Sequence, residues 1–305
     1  HGIGAAHLRR GRADFNRFVH AVIVARVSVA DRQIPPPGEL CIDHLGHFVP
    51  DLDAAAKVFE DVGMRVTPIS VHQVKNVPAG TSNRCVMFEE GYIEILAPSV
   101  GNAADTPNAR RVRERMALHI GVHLACFGTP SAEAEHRRLA AHGFEPEPVV
   151  KLERQIEDGS IVRFEVVYIP PSHMPEGRVQ YCQHVTPEGV WREGFVNPYR
   201  LSAVYVVADD PANVAARWGR FAGLLPHRDG DLVILKTARG RVVIGRHETL
   251  RNTLGSIPAA PALAGYEITC RHPDGFLARC SKAGLPVKGN AVTLPAALGG
   301  TWLVV

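Results

Sequence analysis

The chain predicts an α+β fold of four tandem βαβββ-like modules, the last abbreviated, paired one with two and three with four. Two observations carry this expectation. An order of elements recurs: a short apolar strand, an amphipathic helix, a glycine, then strands ending in a hairpin. The glycines that close the first three helices, Gly63, Gly143 and Gly223, stand 80 residues apart. A length of 305 residues with 46% hydrophobic content suits more than one packed domain.

Ahead of the modules, Arg9, Arg10, Arg12 and Arg17 lead into an apolar stretch ending at Val29-Ala30 that loosely imitates a secretion signal. His20 and Arg26 interrupt it, so it reads as an over-long upstream start or a peripheral arm. Pro35-Pro36-Pro37-Gly38 suits neither a helix interior nor a central strand and reads as a linker. Residues 1–39 are therefore expected to be arm and linker, with the folded body beginning near Leu40.

Module one opens with an apolar strand from Cys41 to Val49. Its helix has Asp51 and Asp53 as capping candidates and Leu52, Ala55, Phe59 and Val62 on one face. Cys85 to Phe88 and Tyr92 to Leu96 then flank Glu89-Glu90-Gly91 as a hairpin. Module two repeats this with a strand from Val122 to Phe127, a helix opened by Thr129-Pro130, and strands around Val162 to Ile169 and Arg178 to Gln183. In module three, Ala203 to Val207 precede Asp210-Pro211 as cap and first helical position, and Val214, Trp218 and Phe221 form the apolar face. Leu232 to Leu235 and Val242 to Ile244 close it as a hairpin. Module four has Tyr266 to Thr269, a helix near Pro273 to Ala283, and a final strand through Trp302.

A small sheet with one helix must bury its other face, so pairing of modules follows, and the paired concave sheets leave a cleft. The expected division is 40–198 for the first pair and 199–305 for the second. The net charge of +3 and 21% charged residues fit neither a nucleic-acid binder nor a disordered chain, which leaves a small molecule as the partner. No apolar run reaches the roughly 18 residues of a membrane span. Six cysteines without a Cys-x-x-Cys pair fit a reduced, cytoplasmic protein.

Ile42-Asp43-His44-Leu45-Gly46-His47, the Asp51-Leu52-Asp53 helix start and Gly91-Tyr92-Ile93-Glu94 resemble the vicinal oxygen chelate superfamily. Within it, Gly80 to Cys85, Pro175 to Arg178 and Cys182 to Trp191 are similar to the glyoxalase-like domain proteins. The match covers about residues 41–195, and beyond 200 it rests on element order. The resemblance implies a divalent metal (Fe, Mn, Zn or Ni) held by the first and last strands of two paired modules. It implies His44 and Glu94 from module one, with His123 aligned to His44 and Gln180 aligned to Glu94. Gln180 departs from the carboxylate often found there, and His184 shares its strand face by the period of two.

Such a donor set suits Lewis-acid catalysis on a substrate with two adjacent oxygens, or oxygen activation on iron, so lyase, isomerase and dioxygenase chemistry stay open. Glu94 or His184 is the proton-transferring candidate. Asn83 and Arg84 are candidates to hold an acidic substrate. The proline-rich Ile169 to Pro175 segment reads as a loop at the cleft mouth. Modules three and four lack a first-strand histidine, which casts the second pair as scaffold or as the surface of a homodimer. The alternative to an enzyme is a metal-free small-molecule binding protein of the bleomycin-resistance type, which the superfamily also contains.

Overall fold

Strand β1 (Cys41–Phe48) is buried along its whole length and runs into helix α1 (Leu52–Asp61). Asp51 caps that helix, its Oδ1 accepting from the Asp53 and Ala54 amides at 2.9 and 3.0 Å. Strands β2 (Ser70–Val74), β3 (Val77–Glu90) and β4 (Tyr92–Pro98) complete module one. Module two comprises β5 (Gly121–Gly128), α3 (Ala132–Ala141), β6 (Val150–Gln155), β7 (Ile161–Val167) and β8 (Arg178–His184), and α2 (Pro107–Met116) leads into it. This computed structural model describes residues 33–99 and 105–305, with residues 1, 28 and 30, so most of the expected arm lies outside the described residues.

Module three runs β9 (Val196–Val207), α4 (Pro211–Ala222), β10 (His227–Asp229), β11 (Leu232–Lys236) and β12 (Arg241–Gly245). Helix α5 (His247–Leu254) connects it to β13 (Ala262–Cys270), α6 (Pro273–Lys282), β14 (Val287–Lys288), β15 (Ala291–Thr293) and β16 (Thr301–Val304). The fourth module is thus complete in order and shortened in its strands. Asp210 caps α4 as expected, whereas α3 is capped by Ser131 and not by Thr129-Pro130. Gly63, Gly143 and Gly223 follow their helices with φ of +84°, +76° and +67°, which is why glycine recurs there.

Within each pair the two first strands run antiparallel, β1 with β5 and β9 with β13. Each is flanked in parallel by the last strand of its own module: β4 beside β1, β8 beside β5, β12 beside β9 and β16 beside β13. The eight strands of the first pair form a continuous circuit, because β2 meets β6 and β3 returns to β4. Strand β3 also pairs with β9 and so joins the two pairs. Gly91 turns β3 into β4 at φ +73°, where a Cβ would come within 3.1 Å of the Asp43 carbonyl.

The main core lies between the pairs, where helices of one meet strands of the other. Phe59 of α1 packs on Trp302 of β16, and Trp218 and Phe221 of α4 pack on Phe127 of β5. Burying each such side chain contributes roughly 1.5–3 kcal/mol. A separate apolar cluster, including Phe48, Met87, Phe164 and Trp191, surrounds the concave side of the first pair. All six cysteines are free, and no described helix is long and apolar enough to cross a membrane.

Candidate active site

Neighbouring residues of a strand point to opposite faces, yet Asp43 and His44 meet at 2.6 Å between Oδ2 and Nδ1. The β1–β5 register explains the contact. Ile42 pairs with Phe127 and His44 with Cys126, which leaves Asp43 as the extra residue of a β-bulge. The same slip recurs on β5, where Gly46 pairs with Leu124 and His47 with Val122, passing over His123. In the second pair it passes over Ser202 and Ala264. Each first strand therefore carries one bulged residue, Asp43, His123, Ser202 or Ala264, followed by His44, Leu124, Ala203 or Gly265.

This register corrects the expected alignment by one residue. His123 is the counterpart of Asp43, and Leu124 occupies the position equivalent to His44. The His123 ring lies tilted against His119, 4.0 Å between centroids, its Nε2 lies 2.7 Å from the His119 carbonyl, and it does not line the cleft cavity. Burial, aided by the charge of His119, pushes its pKa down to about 3.

His44, Glu94 and Gln180 line one cavity of about 50 Å³, together with His72, Asn83 and Arg154. Gly46 pairs with Glu94 and Cys126 with Gln180, so Glu94 and Gln180 hold equivalent places on β4 and β8, as their hairpins suggested. His44 Nδ1–H donates to Asp43, which fixes the ring and leaves Nε2 facing Glu94 Oε2 at 3.9 Å. Asn83 Nδ2 donates to the other oxygen, Glu94 Oε1, at 2.6 Å, and His72 Nε2 lies 3.5 Å from it. Gln180 Oε1 is buried without a hydrogen-bond partner among the described residues.

Burial alone would raise the Asp43 pKa, but the charge and hydrogen bonds of His184 and then of His44 hold it well below the usual carboxylate range. Burial likewise opposes the charged form of His184, and Asp43 outweighs it, so the His184 pKa is raised. His184 Nε2 reaches both Asp43 oxygens, at 2.9 and 3.0 Å. His184 does not line the cavity, and it anchors Asp43, which in turn orients His44. For Glu94, burial is overcome by His72, His44, the Asn83 hydrogen bond and Arg154, and its pKa is lowered.

Arg84 points away from the cleft because it follows Asn83 on a strand. It bonds the Thr67 carbonyl, Asp53 and Glu60, tying β3 to α1. His72 on β2, Arg154 on β6 and Arg178 on β8 reach the cavity without having been singled out in the sequence.

The donor chemistry fits a divalent ion at His44, Glu94 and Gln180. Nε2 and Oε2 are too far apart for a hydrogen bond and both residues line the cavity, so with Gln180 they would hold such an ion, which would supply a Lewis acid there. Two further groupings, Asp43 with His44 and Cys126, and Asp43 with Cys182 and His184, also bring potential donors within 4.8 Å. Both depend on Asp43, whose oxygens already serve two histidines, and burial pushes the Cys126 thiol well above its ordinary pKa.

Two solved structures share the fold over most of the chain. One is a hypothetical protein from Staphylococcus aureus, at TM-score 0.66 and 14% identity, covering 87% of this chain and 99% of that one. The other is a triple mutant of 4-hydroxymandelate synthase from Streptomyces coelicolor, at TM-score 0.54 and 13% identity, covering 85% and 78%. A fusion of a xylose isomerase-like TIM barrel with a 4-hydroxyphenylpyruvate dioxygenase is similar at TM-score 0.50 and 10% identity, covering 86% of this chain and 41% of that one. No curated protein matches the sequence. The profile of the family described as "Glyoxalase-like domain" matches residues 42–222. With the bulged first strands, the parallel flanking strands and that match, the chain belongs to the glyoxalase-like domain family of the vicinal oxygen chelate superfamily.

Proposed function

We propose that the chain is a metal-assisted enzyme, a lyase, isomerase or dioxygenase, acting on a small substrate that presents two adjacent oxygens. The observation that carries this reading is the convergence of His44 Nε2, Glu94 Oε2 and Gln180 Oε1, none of them hydrogen-bonded among the described residues, on one buried cavity. A divalent Fe, Mn, Zn or Ni ion bound there would supply a Lewis acid for those oxygens.

The chain's own residues do the rest. Asp43 keeps the lone pair of His44 Nε2 directed inward, and Asn83 holds Glu94 by one oxygen so that the other stays available. His72 Nδ1 is hydrogen-bonded to Thr81 Oγ1 at 2.9 Å and its Nε2 lies 3.1 Å from Asn83 Nδ2, so the ring is held in the cavity wall and buttresses the Asn83 amide that positions Glu94. Residues 40–198 carry this site and 199–305 serve as its scaffold.

One observation favours the second reading, a metal-free binding protein: Leu124 stands where a second imidazole would complete the ligand set. Elemental analysis of protein purified without chelator or metal-binding tag separates the two. The enzyme reading expects about one equivalent of a divalent transition metal, lost in His44→Ala and in Glu94→Ala. No metal in the wild type, and no change in Tm on adding Mn(II), Fe(II), Zn(II) or Ni(II), leaves the binding protein.

A further inference from the structure

We infer that the molecule bound in this site is a carboxylic acid with an apolar arm, its carboxylate held by Arg154 and Arg178 and its arm in an adjoining cavity. The inference deepens the proposed function and rests on it for the chemistry, but neither arginine belongs to the metal-donor set.

Arg154 is only 6% exposed, yet it forms no ion pair among the described residues. Its Nη1 reaches Asn83 Oδ1 at 3.4 Å and Cys85 Sγ at 3.6 Å, and its Nε is buried without a partner. The face of Phe164, 5.3 Å away, is its remaining contact of note. A guanidinium stays charged, and Glu94 offsets it only from beyond ion-pair distance, so its burial is costly. By contrast, the part-buried Arg84 and Arg217 both meet carboxylates, Arg84 pairing with Asp53 and Glu60 and Arg217 with Glu176. Arg154 faces the cavity, where an acid would complete it.

Arg178 lies over the Tyr168 ring at 4.5 Å, and its Nη1 donates to Asn108 Oδ1 at 3.0 Å. Glu94 is the one carboxylate lining the cavity, against the two guanidinium groups, so the balance of fixed charge draws an anion.

The cavity of about 50 Å³ holds little more than the acid and its nearest atoms, given about 30 Å³ for a water molecule. A second cavity of about 170 Å³ shares Tyr168 and Arg178 with it. Phe48, Val112, Leu118, Ile169, Pro171 and Met174 make its walls largely apolar. An acid gripped at Arg178 therefore has room for a hydrophobic arm on the far side of that residue, and the proline-rich segment before β8 forms part of that wall.

Calorimetric titration of EDTA-treated protein with 4-phenylbutyrate, 4-phenylbutyramide and propionate tests this. The expected order is 4-phenylbutyrate tightest, with the amide at least about tenfold weaker because it cannot pair with a guanidinium. Arg178→Gln and Arg154→Gln each weaken the acid by about tenfold and leave the amide unchanged. Met174→Trp, which fills the second cavity, removes the advantage of 4-phenylbutyrate over propionate. Should Arg154→Gln fail to fold, Arg178→Gln carries the test.

Equal binding of acid and amide, no binding of any probe, or acid binding only after Zn(II) is added overturns the assignment to the arginines. Equal binding of 4-phenylbutyrate and propionate overturns the apolar arm. Metal uptake without acid binding ends this inference and leaves the proposed function standing. Acid binding without metal uptake does the reverse.

Discussion

The two module pairs share one backbone plan and have opposite interiors. Register equivalence places Ala203, Val243 and Leu303 of the second pair where the first has His44, Glu94 and Gln180. Leu250 and Leu254 of α5 are fully buried in a cluster with Ala203, Tyr205, Val243, Ala264 and Leu303. The first pair's connecting helix, α2, buries only Ala109 and Val112. The polar remnant of the second cleft is also satisfied internally, since Glu267 is paired with Arg241 and bonded to Ser202 and Tyr205. One fold thus becomes a site or a plug according to a few inward positions and one connecting helix.

The largest expected effect lies at the bulges. Asp43→Ala leaves His184 buried without its counter-charge and should cost about 3–5 kcal/mol in urea unfolding. Its equivalent, Ser202→Ala, removes the hydrogen bonds its hydroxyl makes with Glu267 and Thr269 and should cost about 1–3 kcal/mol. Similar losses for the two would show that the bulges are merely structural.

The connecting helices come next. Leu250→Ala should destabilise by about 2–5 kcal/mol because it opens a hole in a filled cleft. Val112→Ala should cost roughly 1.5 kcal/mol, at about 0.8 per methylene. A Val112→Ala loss as large as that of Leu250→Ala would erase the contrast.

Acid should act on the first pair. Burial pushes His47 down to about 4 and His123 to about 3, so both are neutral when folded and protonate on unfolding below about pH 6.5. Stability is therefore full above that pH and falls as pH drops toward 4, by about 1.4 kcal/mol per pH unit for each histidine. His184, with its raised pKa, runs the other way: its contribution is present at low pH and lost as pH rises through its folded value. Urea titrations between pH 4 and 7 measure the sum, and His47→Gln should flatten the slope. No flattening would place the acid sensitivity elsewhere.

Leu124→His restores an imidazole to the cleft and should tighten metal binding by at least about tenfold, or 1.4 kcal/mol. Ala203→His, at the corresponding plugged position, should gain nothing. The smallest effect is expected at Arg84, whose partners Asp53 and Glu60 are exposed: Arg84→Ala should cost below about 1 kcal/mol and leave metal content unchanged.

Helices and their stops were legible because capping residues and apolar spacing act within a few positions. Asp51, Asp210 and the three glycines stand where expected, as do the buried Trp218 and Phe221. Helices α2 and α5 were missed, since α2 is largely polar and α5 is short. His44, Asn83, Glu94 and Gln180 do share one cavity, because strand alternation places them on one face. Arg84 and His123 do not join them: one follows an inward residue on its strand, and the other sits in a bulge.

From the chain alone came the repeat, the pairing of modules and the strands that carry the site, for periodicity and caps are local and survive any change of partner. The folded arrangement alone settled which atoms meet. A bulge arises from how one strand registers against another, and it turns Asp43 beside His44 while passing over His123. Arg154 and His72 come from middle strands whose sequence pattern is weak. Their place in the cleft depends on closure of the eight-strand circuit through β2 and β6, a contact between residues 80 apart, Gln73 and Glu153.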